Sequence, residues 1–209
     1  MADYSELFDD VEAQSDRAAV VLCAARLDRG LEELFRKKLR DDAPNSLFEH
    51  GGALRDFAAR IELAYALDWI DHDTRTDLNI LRKMRNDFAH VDDQTLSLSK
   101  SPLKDRLTNL SMSKVVKRGI DDLMAERKKV RPDHQISEAV QYEIEQLTSP
   151  RGQFILAITI LVDMLYEAIH GYGLDTFRSS TNNTTRILKG ILRPLRDALA
   201  FPEHRETPS

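Results

Sequence analysis

A chain of 209 residues, 42% hydrophobic and 31% charged, carries enough apolar material for one ordinary domain with its own core. Eight glycines and seven prolines are too few for a loop-rich β protein or a disordered chain, and a single cysteine, Cys23, excludes a disulfide framework within the chain. The net charge of −5 excludes a surface that is basic throughout, yet Lys100 to Arg131 holds ten basic against four acidic residues, a local +6 that leaves −11 for the remainder. A positive face can therefore still form and meet phosphate.

The N-terminus, Met1 to Glu6, is acidic and leads into no apolar run, so no export signal is expected and the chain is expected in the cytoplasm. Residues 3–14 predict a short acidic lead-in helix. Ser15 can cap a long helix running to about Arg40, on which Val20, Cys23, Ala24, Leu27, Leu31, Leu34 and Phe35 recur at three- and four-residue steps. Asp41-Asp42-Ala43-Pro44-Asn45 breaks it. A second helix is predicted over about Leu54 to Ile70. Leu54, Phe57, Ile61, Ala64, Tyr65 and Leu67 are expected to point inward, and Arg55, Arg60, Glu62 and Asp68 outward. Asp71 or Asp73 can cap a third helix, from about Thr74 to His90, with Leu78, Leu81, Met84 and Phe88 on its core side. The short turn between the second and third helices predicts a helical hairpin.

From Val91 to about Lys100 the pattern lapses into polar and turn-forming residues, and the basic stretch from Ser101 to Asp133 predicts helices without clear limits. Residues 137–147 again read as helix. Ser149-Pro150 offers an N-cap followed by proline at the first helical position, and the helix that starts there is expected to reach His170, where Gly171 and Gly173 can end it. Its run from Phe154 to Val162 meets Asp163 well short of the roughly 20 residues that span a bilayer, which predicts a buried central helix and no membrane span. A further helix near 184–200 is interrupted by Pro194. The expected fold is all-α, with one helical domain over 1–173 and a helical extension and tail over 174–209.

No Gly-x-Gly-x-x-Gly, phosphate loop, nucleophile elbow, paired-cysteine site or His-Glu-x-x-His occurs, so neither a cofactor nor a metal is expected. Of the six histidines, His50, His72, His134 and His204 fall in turns or ends and His170 near a helix end, where solvated side chains are the rule. His90 differs by its neighbours, Arg85-Asn86-Asp87-Phe88-Ala89-His90. Asn86 and His90 share a helix face, and Arg85 lies about 140° away, within reach of its long stem. Arg82 and Lys83, one turn earlier, would add positive potential and hold a substrate. Such a cluster suits metal-free cleavage of RNA: His90 moves a proton, Arg85 neutralises the phosphate, and Asn86 orients the imidazole or holds a ribose hydroxyl. The plain alternative is a histidine finishing its helix for dipole reasons, with Arg85 paired to Asp87 or Asp92. The spacing of Arg127 to His134 loosely repeats the pattern, but Pro132 breaks any helix there.

Arg-Asn-x-x-x-His at a helix end, as Arg85-Asn86 and His90 stand here, resembles the signature of the HEPN superfamily of helical proteins. The stretch from about Ser15 to Val91 resembles the mannitol operon repressor (MltR) family more closely. That likeness is carried by Asp16-Arg17-Ala18, Gly51-Gly52-Ala53-Leu54, the run from Arg60 to Leu67, and Leu81 to His90. It continues vaguely to about Gly173 and not beyond Leu174. The HEPN resemblance implies a homodimer with a shared site and a metal-independent endoribonuclease, toxin- or defence-like or regulatory, with Arg85, Asn86 and His90 as catalytic residues. The MltR resemblance implies a non-enzymatic regulator of transcription that works through a protein partner. Sequence-specific DNA binding is not expected, since no recognition helix with a short glycine turn is found.

Overall fold

The computed structural model describes residues 11, 14–90, 96–130, 136–170, 189–190, 192–193 and 196–197. The expected lead-in helix at 3–14 and the helix near 184–200 fall mainly outside these residues. Among the described residues all regular structure is helical, as expected.

Helix α1, Asp16–Lys38, starts where Ser15 accepts a hydrogen bond from the Ala18 N–H. Asp16 in its first turn and Arg36, Lys37 and Lys38 in its last complement the helix dipole. The stripe read from the sequence is the buried face: Val20, Cys23, Ala24, Leu27, Leu31, Leu34 and Phe35 are all within the core. After the break at 40–44 and a 3-10 turn, Asn45–Leu47, come α2, Phe57–Ala66, and α3, His72–His90. The basic stretch resolves into α4, Leu103–Asn109, and α5, Ser111–Val130, followed by α6, Glu138–Thr148, and α7, Pro150–His170.

Helix α7 is the hub. It packs against α1, α5 and α6, while α3 packs against α1 and α2. Its side chains from Phe154 to Val162 are all buried, which at roughly 1.5–3 kcal/mol for each large apolar side chain makes α7 the main source of core stability. Its length and composition would also cross a bilayer, but here its apolar surface is mostly covered by other helices. Helices α1 and α7 approach closely at Gly30, where an added Cβ would stand 2.3 Å from Leu165 Cδ2.

Two buried or half-buried carboxylates fix the ends of the helices. Asp16 accepts hydrogen bonds from Arg151 at 2.7 Å, from the Ser97 hydroxyl at 2.8 Å and from the Leu98 N–H at 2.9 Å. Arg151 also donates to the Val11 and Gln14 carbonyls, so one ion pair ties the starts of α1 and α7 to the segment at 97–98. Asp77, fully buried on α3, accepts from the N–H groups of Ser111 and Met112 and caps α5 from a neighbouring helix.

Helix α2 departs from the expected pattern. It begins at Phe57 rather than Leu54 and ends at Ala66. Asp68 then takes a left-handed backbone, φ 60°, and the chain turns toward α3. Tyr65 and Leu67 therefore stand 39% and 43% exposed, not inward. Arg60, expected outward, is only 5% exposed because α1 supplies its partners. It donates to Asp28 and Glu32 on α1 and to the Leu54 carbonyl, so both charge and donors are satisfied.

Candidate functional site

Helix α3 starts where the Asp71 carboxylate accepts from the Thr74 N–H at 2.8 Å, which selects Asp71 of the two candidate caps. Its buried face is Thr74, Asp77, Leu78, Leu81, Met84 and Phe88. Positions 75, 79, 82, 86 and 90, at steps of four, three, four and four, form a second row along the opposite side, with Lys83 beside it. Arg75, Asn79, Arg82 and Asn86 are half-buried and Lys83 is exposed. His90 ends the helix and the row; its side chain lies outside the described residues.

The first half of the row is a wall of a groove of about 370 Å³ between α2 and α3, lined by Glu62 from α2 and by Arg75, Thr76, Asn79, Ile80, Arg82 and Lys83. Glu62 organises it. Its carboxylate accepts from Arg75 Nε at 2.9 Å and from Asn79 Nδ2 at 3.1 Å, and the Arg75 guanidinium holds it below the usual carboxylate range. The Arg75 guanidinium also lies 4.7 Å from the Tyr65 ring centre, a cation–π contact that closes off that face of the ring. Asn79 then accepts a long hydrogen bond, 3.4 Å, from Arg82 Nε.

Beyond the groove, Arg85 Nη1 donates to Asn86 Oδ1 at 3.2 Å, so these two expected site residues meet side by side. The plain alternative paired Arg85 with Asp87 or Asp92; Asp92 lies outside the described residues, and Asp87 has another partner. It forms an ion pair with Arg106 of α4, because the half-buried α3–α4 contact places that guanidinium on it. Among the described residues no carboxylate lies within ion-pair distance of Arg82, Lys83 or Arg85, although the Arg82 charge also helps to lower Glu62, and the groove carries three cations against Glu62 alone. The arrangement can hold an anionic group through two open cations with amides on either side. The motif brought Arg82, Lys83, Arg85 and Asn86 to attention. Glu62, expected outward on its own helix, enters the site only through the packing of α2 on α3, whereas the steps between 75, 79, 82 and 86 already align Arg75 and Asn79 with the motif.

No family model matches the chain, and no curated protein matches it either. Among solved structures, a chain of the MtlR–HPr complex from Escherichia coli is similar in fold, with a TM-score of 0.58 at 17% identity, over 79% of this chain and 99% of that one. The all-α bundle is thus an MltR-like fold, shared across nearly the whole of that neighbour.

Proposed function

We propose that this chain is a regulator of the mannitol operon repressor type that works by holding a protein partner and catalyses no reaction. One observation carries the reading: the fold agrees over 99% of a chain taken from a two-protein complex, MtlR with HPr. The cations and amides of the α3 row support it, since among the described residues Arg82 and Lys83 bond no carboxylate and can offer contacts to a partner. The test is to mix the purified protein with HPr of the same organism and follow complex formation by size exclusion and calorimetry. A saturable complex is expected. No complex at micromolar concentrations, the ordinary range of transient regulatory contacts, would defeat the assignment of HPr as partner.

A second reading has its own observation. Arg85 and Asn86 touch, and His90 stands one turn after Asn86 at the helix end, the order that a metal-independent HEPN-like endoribonuclease uses. In that reading Arg85 neutralises the scissile phosphate, Asn86 holds a ribose hydroxyl, His90 moves the proton, and Arg82 and Lys83 bind the RNA backbone in a homodimer. It predicts RNA fragments with 2′,3′-cyclic phosphate ends in excess chelator, lost in His90→Ala. Fragments that persist unchanged in that variant would remove the site.

A further inference from the structure

Three of the six large apolar side chains left exposed among the described residues fall within five positions of one another: Leu63 at 39%, Tyr65 at 39% and Leu67 at 43%. They stand at the end of α2 with Ala66, also exposed, while Ile61 and Ala64 face the core. Isolated exposed leucines need no explanation, but a cluster beside a polar rim marks a contact surface. The rim here is the α2–α3 groove, whose charge is Arg75, Arg82 and Lys83 against Glu62, a net +2. Glu62 is hydrogen-bonded to Arg75 and Asn79 and feels Arg82 only through its charge, so among the described residues neither Lys83 nor the terminal nitrogens of Arg82 bond a carboxylate. Ile80 adds an apolar side chain to the groove lining, and Tyr65 joins the exposed α2 cluster to the groove through its contact with Arg75.

We infer that the outer end of α2 and the α2–α3 groove together dock a partner protein that presents carboxylates beside aliphatic side chains. The inference rests on the regulatory reading and adds the place and chemistry of the contact. A second copy of the chain would set the same cations against each other across a two-fold axis, which charge complementarity disfavours. An RNA backbone would use the cations but not Leu63 and Leu67, and Tyr65, covered on one face by Arg75, is a poor platform for a base.

The test uses the full chain and a fluorescein-labelled helical peptide of about 20 residues with glutamates four apart along a leucine stripe, the groove-docking form of an amphipathic helix. Controls are the same peptide with lysine for glutamate, and a single-stranded RNA of equal length. Fluorescence anisotropy is expected to show saturable, salt-weakened binding of the acidic peptide and none of the lysine peptide. Arg82→Glu with Lys83→Glu should weaken it by at least about tenfold, and Leu63→Ser with Leu67→Ser by several-fold, with melting temperatures reported to show that each variant is folded. Equal binding of both peptides, or indifference to both pairs of substitutions, overturns the inference. So does RNA that outcompetes the peptide and ignores the leucine substitutions. If HPr binds and those substitutions leave its complex unchanged, the docking face is wrong while the regulatory reading stands. If the peptide behaves as expected and HPr does not bind, the face stands and the assignment of HPr falls.

Discussion

Asp77 of α3 caps Ser111, the first residue of α5: its carboxylate accepts from the Ser111 N–H at 2.7 Å and from the Met112 N–H at 2.9 Å. A helix of 20 residues is thus started by a side chain 34 positions earlier in the chain. Asp77→Ala should lower the unfolding free energy by about 1–3 kcal/mol, since a buried helix start loses two acceptors at once. Urea denaturation measures it.

The same carboxyl gives a pH signature. Burial, opposed by the two backbone N–H groups, pushes it from 3.8 up to about 6. The unfolded chain therefore releases this proton at lower pH than the folded one. The contribution to stability is fully present below about pH 3.8, falls as pH rises through 6, and is level above. Asp77→Asn should flatten the stability curve across that window. An unchanged slope would assign the pH dependence to another group.

Arg60 is the clearest buried charge. Replacing it with alanine should cost about 2–4 kcal/mol, toward the lower end because Asp28 and Glu32 keep partial access to water and can rehydrate. Arg60→Lys should recover less than half of that, because an ammonium cannot serve Asp28, Glu32 and the Leu54 carbonyl together. Paired denaturation curves of the two variants check the ratio.

Why Arg60 was expected on the outside shows what a sequence can and cannot display. Periodicity reported the core sides of α1 and α3 because each is a local repeat along one helix: Leu27, Leu31 and Leu34, or Leu78, Leu81 and Met84, need no knowledge of a neighbour. The burial of Arg60 depends on Asp28 and Glu32, 32 and 28 residues away, and that of Asp77 on a helix start still further along. Tyr65 and Leu67 follow a helical apolar spacing but stand where α2 ends, and the left-handed Asp68 turns them to the surface. The candidate site divides the same way. Residues 82–90 are visible as a motif on one helix, whereas Glu62 enters only when α2 packs on α3.

Gly30 is a packing position. Gly30→Ala gains helix propensity, worth up to about 1 kcal/mol, but its Cβ would meet Leu165 Cδ2 at 2.3 Å in a closely packed contact. A net loss of about 1–2 kcal/mol is expected. Gly30→Ala with Leu165→Ala should lose less than the sum of the two single changes, and the thermal melts of all three test the coupling.

Arg85 and Asp87 should separate function from stability. The hydrogen bond of Arg85 to the adjacent Asn86 is long and local, so Arg85→Ala should cost under about 1 kcal/mol. Asp87→Ala, which strands the half-buried Arg106 between α3 and α4, should cost about 1–2 kcal/mol. If Arg85→Ala proved the more destabilising of the two, the guanidinium would be a structural anchor and the nuclease reading could not use it.

Calorimetric titration of HPr from the same organism into the purified chain, run beside an RNA incubation in chelator, bears most directly on whether this helical bundle binds a protein or cuts RNA. The regulatory reading predicts saturable heat with HPr and intact RNA. Flat titration together with RNA cut to 2′,3′-cyclic phosphate ends, and left intact by His90→Ala, would contradict it and establish the nuclease instead.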